Sequence, residues 1–69
     1  MLKILKGLFT QGYQFIEESY YGSYSSHKVD DFSEVEKAIA EADDDEGLYF
    51  EYEISYACQT VYFGLKNEE

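Results

Sequence analysis

Apolar and polar side chains alternate between Leu48 and Tyr56, and this alternation constrains the fold more than any other feature of the chain. Successive side chains of a β-strand point to opposite faces, so the pattern predicts a strand with one buried and one solvent-exposed face. The predicted buried face holds Leu48, Phe50, Tyr52, Ile54 and Tyr56, and the predicted exposed face holds Tyr49, Glu51, Glu53 and Ser55. The same parity, continued along the chain, predicts that Cys58 is a small buried residue.

A second β-rich run follows after a short gap, from Thr60 to Leu65. Its apolar face holds Val61, Phe63 and Leu65. Because the gap is short, the two runs are expected to form an antiparallel C-terminal hairpin over residues 48–65. The gap contains neither Gly nor Asn, so the sequence leaves the turn type open.

One helix is predicted at about residues 32–42. Asp31 is a favourable N-cap, and Glu34 follows at the spacing of a capping box. One apolar stripe is formed by Phe32, Val35, Ile39 and Ala42. The run Asp43–Glu46 is unfavourable beside the negative end of a helix, and Gly47 is a stop signal, so this run is expected to be a loop.

The first 28 residues leave alternatives open. Residues 13–28 are rich in Tyr and Ser, and they fit either two strands near 13–18 and 19–28 or one long strand with Gly22 as a bulge. Residues 1–9 fit a short amphipathic helix or a strand. The predicted fold class is therefore α+β, a small antiparallel sheet with one helix packed on one face.

The length of 69 residues predicts a single domain, 1–69, of marginal stability. Homodimerisation would bury more of its thirteen aromatic side chains. The single cysteine favours a reducing compartment, and the broken apolar run of residues 1–9 does not fit a signal peptide. A cytoplasmic protein is expected, in the cytoplasm of a host bacterium if the gene belongs to a phage.

The formal charge of −10 is segregated in the window from Val29 to Glu53. This window holds eleven of the fifteen acids and one base, Lys37. Such a surface repels nucleic acid and membranes and attracts the basic proteins that bind them. Direct binding of nucleic acid is not expected, because five bases cannot neutralise a run of phosphates.

Catalysis, metal binding and cofactors are not predicted. The only histidine, His27, lies in a Ser-rich segment, where a hydrogen-bonding surface residue is expected. Solvated acids lack the apolar pocket that tunes a general acid. An EF-hand with Gly47 as its central glycine would need an Asp ligand where Ala42 stands, so that pattern fails.

The carboxylates are spaced in a way that suits mimicry of phosphates. Glu51 and Glu53 are expected about 6.6–6.8 Å apart along a strand, which is about twice the rise per phosphate of DNA. Glu34 and Glu41 are expected about 10 Å apart on one side of the helix. In size and charge pattern over Val29–Glu53 the chain resembles the acidic DNA-mimic inhibitors of phages and mobile elements.

This resemblance implies a non-enzymatic inhibitor that competes with nucleic acid for the DNA-binding surface of a basic host protein. Examples of such a target are the histone-like nucleoid protein HU, a polymerase, and a restriction, CRISPR or repair nuclease. The partner-binding residues predicted on this basis are Glu34, Glu36, Glu41, Asp43, Asp44, Asp45, Glu46, Tyr49, Glu51 and Glu53. The alternative is a small regulatory or antitoxin-like interaction module, in which the partner is recognised by apolar and tyrosine contacts and the acids provide solubility.

Overall fold

The computed structural model describes residues 2–19 and 23–67. It contains helix α1 (Leu2–Thr10), strands β1 (Gln14–Ser19) and β2 (Ser25–Val29), helix α2 (Ser33–Asp44), and strands β3 (Leu48–Ser55) and β4 (Thr60–Asn67). The α+β class is confirmed. The prediction of a single helix is wrong, because α1 is helical as well.

The four strands form one mixed sheet in the order β2-β1-β4-β3. The outer pairs, β1 with β2 and β3 with β4, are antiparallel, whereas the central pair β1 and β4 is parallel. The prediction of a purely antiparallel sheet is therefore wrong in its central pair. Sequence spacing indicates only the C-terminal hairpin. Helix α2 connects the β1–β2 pair to that hairpin as a crossover, and this connection brings the first and last strands together in the same direction.

Both helices pack on the same face of the sheet. Phe15 of β1 is buried there. Its ring centroid lies 5.5 Å from that of Phe9 in α1 and 5.9 Å from that of Phe32, which precedes α2. The buried core consists of Leu5, Leu8, Phe15, Val29, Phe32, Val35, Ala38, Val61 and Phe63. Neither helix of the described ranges has the length and hydropathy of a membrane span.

The N-terminal segment, for which the sequence allowed a helix or a strand, is a helix with Leu5 and Leu8 buried. It ends in a Schellman motif at Gly12, whose φ is +96°. The Tyr13 amide donates to the Leu8 carbonyl and the Gly12 amide to the Phe9 carbonyl, each at 3.1 Å. This turn directs the chain back across the face that α1 covers.

The two-strand alternative for residues 13–28 is the correct one, with Phe15 opposite Val29 in the β1–β2 ladder. The proposed bulge at Gly22 lies outside the described residues.

An antiparallel C-terminal hairpin is confirmed, with Phe50 opposite Leu65 and Ile54 opposite Val61, but its second strand extends to Asn67 rather than ending at Leu65. The predicted burial of Cys58 is wrong, because β3 ends at Ser55 and Cys58 lies exposed in the turn. Tyr56 lies in the same turn and is 66% exposed rather than buried. Gln59 adopts the positive φ of 50° that the turn needs in place of a glycine.

Helix α2 has nearly the predicted start, and Val35 and Ala38 lie in the core. The N-cap is Phe32 rather than the predicted Asp31, and it forms no side-chain cap hydrogen bond; the Asp31 carboxylate accepts a 3.0 Å hydrogen bond from the Ser33 amide instead. The predicted end is too early, because Asp43 and Asp44 belong to the last helical turn and only Asp45 and Glu46 lie in the loop. Ala42 is partly buried, and this packing extends the helix through unfavourable residues.

Candidate functional site

The predicted partner-binding acids are distributed over two surfaces. The first, the helix patch, is formed by the exposed residues Glu36, Glu41, Asp43, Asp44, Asp45 and Glu46. The second, the strand patch, is formed by the exposed residues Tyr49, Glu51 and Glu53 of β3. The remaining predicted residue, Glu34, belongs to a different cluster that is described below.

The α2 acids of the helix patch and the acids of the strand patch lie on opposite faces of the sheet. Phe50 and Ile54 pack against the core on the face covered by the helices. Because side chains alternate along β3, Glu51 and Glu53 point to the other, open face. The helix and strand acids therefore do not form one continuous flat surface.

The strand patch is partly neutralised. Lys66 Nζ lies 3.2 Å from Glu51 Oε1, and the Tyr49 hydroxyl donates a long hydrogen bond of 3.4 Å to Glu51 Oε2. A groove on this face runs past Glu18, Glu51, Glu53, Tyr62 and Lys66. The predicted placement of Tyr49 beside Glu51 and Glu53 is confirmed.

The helix patch lacks such neutralisation. Asp45 Oδ1 accepts a 2.8 Å hydrogen bond from the Gly47 amide, but no salt bridge is formed by the other five acids within residues 2–19 and 23–67. The last turn of α2 contains Asp43 and Asp44 and no basic residue. Negative charge at a helix C-terminus is unfavourable because it meets the negative end of the helix dipole. The patch thus concentrates negative charge at a position where that charge lowers the stability of the helix.

Glu34 joins Glu17 and His27 in a cluster that the sequence interpretation did not predict. The Nε2 atom of His27 lies 3.3 Å from Glu17 Oε1 and 3.5 Å from Glu34 Oε1. Residues 17 and 27 face each other across the β1–β2 ladder, and Glu34 reaches them from the first turn of α2. Predicting this cluster requires the register of the β1–β2 pair, which the strand pattern alone does not give.

A groove between α2 and the sheet adjoins this cluster. It is lined by Glu17, Glu34, Lys37, Ala38, Glu41 and Leu65. The prediction that Glu34 and Glu41 lie on one side of the helix is confirmed, since both line this groove. The groove therefore contains three carboxylates and one ammonium group.

The donor atoms of Glu17, His27 and Glu34 all lie within 4.8 Å of one another, so these three side chains are the ones within the described ranges that are placed to hold a metal ion.

Comparison of the chain with protein-family models, curated proteins and solved structures found no match.

Proposed function

We propose that this protein is a non-enzymatic inhibitor that binds the nucleic-acid-binding surface of a basic protein and competes with nucleic acid for it. HU is one target of suitable chemistry, because a basic DNA-binding surface is complementary to an anionic one. The helix patch is the primary contact surface in this proposal, and the strand patch belongs to a separate face.

The observation that carries the proposal is the uncompensated charge at the end of α2. Residues 41–46 contain five acids and no base, and they belong to a helix anchored in the core or to the short loop that follows it. Mixed charges would provide solubility without opposing the helix dipole. Charge that is kept at a local cost in stability is a mark of a functional surface.

The spacing of these carboxylates supports the proposal. Glu36 and Asp43 are seven residues apart on α2, and therefore about 10 Å apart along its axis, or about three rises per phosphate of DNA. Their carboxylates are suited to charge-assisted hydrogen bonds with Lys and Arg side chains that otherwise hold phosphates. A helix fixes this spacing, whereas a flexible acidic tail does not.

A competition experiment tests the proposal. Labelled duplex DNA bound to HU is titrated with the protein, and release of the DNA is followed by fluorescence anisotropy at several salt concentrations. We expect release at low salt and a loss of affinity of about tenfold or more between 50 and 200 mM salt. Binding that is unchanged by salt, or a ternary complex with DNA, would contradict competition for one surface; the same assay with other basic DNA-binding proteins identifies the preferred target.

Two variants that remove charge from opposite faces show which face binds. Neutralising the helix patch by Glu36→Gln, Asp43→Asn and Asp44→Asn is expected to reduce affinity at least about tenfold, because the charge on the contact surface is lost. The control, Glu51→Gln with Glu53→Gln, removes charge from the opposite face and is expected to change affinity much less. If the control loses more affinity than the helix-patch variant, the strand patch is the binding surface.

The open sheet face supports the second candidate, an interaction module that recognises its partner through tyrosines. Tyr49 is 40% exposed on this face, which neither helix covers. Tyrosine supplies contact area at low entropic cost. Under this alternative, Glu51→Lys with Glu53→Lys mainly slows association, whereas Tyr49→Ala raises the dissociation rate; surface plasmon resonance separates the two effects.

A further inference from the structure

We propose that Glu17, His27 and Glu34 form a binding site for a divalent transition metal, with Zn²⁺ as the best-suited ion. The site is distinct from the helix patch and from the open face of the sheet. It lies where α2 begins, at the β1–β2 side of the sheet.

Three separate elements bring these donors together, and the core fixes their positions. Glu17 and His27 are directly opposite in the β1–β2 ladder, two residues from the buried pair Phe15 and Val29. Glu34 precedes the buried Val35 in the first turn of α2. The convergence therefore depends on packing and register rather than on a flexible loop.

Two of the three donor–donor distances fit tetrahedral coordination. Zinc bonds of about 2.0–2.2 Å to nitrogen and carboxylate oxygen place neighbouring ligand atoms about 3.3–3.6 Å apart. The two distances from His27 Nε2, 3.3 Å to Glu17 Oε1 and 3.5 Å to Glu34 Oε1, lie in this range. The two carboxylates lie within 4.8 Å of each other, so rotation of their side chains, without a change of strand pairing, would bring all three donors onto one ion.

Hydrogen bonding alone accounts poorly for the arrangement. His27 Nε2 carries at most one hydrogen, yet two carboxylates converge on it. Both distances are longer than the about 2.7–2.9 Å of a charge-assisted hydrogen bond between nitrogen and a carboxylate. A dication between the three side chains would be bound by all of them and would offset the repulsion between the two carboxylates.

The donor set favours Zn²⁺ over Ca²⁺ and Mg²⁺. Imidazole nitrogen is a good ligand for zinc, whereas calcium and magnesium prefer oxygen ligands. The side chain of His27 is 57% exposed, so solvent has access to the cluster and a water molecule can complete four-coordination. Bound metal would join β1 and β2 to α2 and thereby stabilise the fold.

The sole histidine of the chain makes the test specific. Titration of ¹⁵N-labelled protein with ZnCl₂ is followed through the imidazole ¹⁵N resonances, with isothermal titration calorimetry in parallel. We expect one equivalent of Zn²⁺ to bind and to shift the Nε2 resonance, and we expect the melting temperature to rise with zinc concentration.

Variants separate this site from diffuse binding by acids. His27→Gln and Glu34→Gln are each expected to weaken zinc binding at least about tenfold. Asp43→Asn, which removes one acid from the same helix outside the cluster, is the matched control and should bind zinc as the wild type does. Cys58→Ser removes the exposed thiol and should also leave binding unchanged. Circular dichroism confirms that each variant is folded.

Absence of binding at millimolar Zn²⁺, binding without a shift of the imidazole resonances, or equal losses in Asp43→Asn and Glu34→Gln would each overturn the proposal. No partner protein is used in these measurements, so their outcome is independent of the proposed inhibitor function.

Discussion

At the scale of single residues, Gly64 shows how closely two strands of this sheet approach each other. Gly64 is buried in β4, and a Cβ atom at this position would overlap the backbone carbonyl oxygen of Glu18 in β1. Backbone atoms on a central strand cannot move aside as the end of a flexible side chain can. Glycine is therefore required here by space rather than by its φ angle.

Gly64→Ala is accordingly expected to destabilise the protein by about 1–3 kcal/mol, as other overpacking substitutions do. Gly7→Ala is the matched control, because Gly7 lies in α1 with nothing within 4 Å of a built Cβ atom. That substitution should stabilise the protein by about 0.5–1 kcal/mol through helix propensity. Urea denaturation of both variants measures the difference; equal stabilities would refute the close approach of β1 to β4.

At the scale of elements, α2 has favourable and unfavourable ends. Glu34 and Glu36 in its first turn suit the positive end of the dipole, and the Asp31 carboxylate accepts a hydrogen bond from the Ser33 amide at the start of the helix. Asp43 and Asp44 in the last turn oppose the negative end. The second half of the helix is therefore held by tertiary packing of its apolar side rather than by its own terminal residues.

Replacing Asp44 with Lys is expected to stabilise the protein by about 0.3–1 kcal/mol, because a cation suits the C-terminal end of the helix. Glu36→Lys makes the same change of net charge near the N-terminal end, where the dipole effect has the opposite sign. The difference between the two melting temperatures isolates the dipole from the relief of net charge. If both variants raise the melting temperature equally, only the net charge affects stability, and the negative charge at the end of the helix does not lower stability locally.

At the scale of the whole molecule, a net charge of −10 on 69 residues produces self-repulsion that opposes the compact state. Few of these charges are paired within residues 2–19 and 23–67, where Lys66 forms an ion pair with Glu51 and His27 contacts Glu17 and Glu34. Homodimerisation, expected from the small size of the chain, stays a prediction that sedimentation at low and high salt would test.

Salt is expected to raise the melting temperature, because screening reduces repulsion between exposed charges. A scan from roughly 20 mM to roughly 0.5 M NaCl moves the Debye length from well above to well below the spacing of the acids in the helix patch. The triple variant Glu36→Gln, Asp43→Asn and Asp44→Asn should show a smaller rise of the melting temperature with salt, because it has fewer charges to screen. A melting temperature that falls with salt would mean that net attraction, not repulsion, dominates.

Local patterns predicted most of the elements. Alternation predicted β3, and the apolar stripe predicted the face of α2 that packs. The same parity failed at Cys58, because alternation carries information only as far as the strand extends, and β3 ends at Ser55. The end of α2 was misplaced because terminal propensity is a weak effect compared with packing.

The sequence by itself determined the two strands of the C-terminal hairpin and the helix before them, which side of each is apolar, and that the charge is concentrated between Val29 and Glu53, because these are properties of neighbouring residues. Only the tertiary structure decided that β1 and β4 pair in parallel, that the helix and strand patches lie on opposite faces, and that Glu17, His27 and Glu34 meet. These facts depend on strand register and on the crossover through α2. They arise from burying apolar surface across the whole chain, which no local pattern specifies.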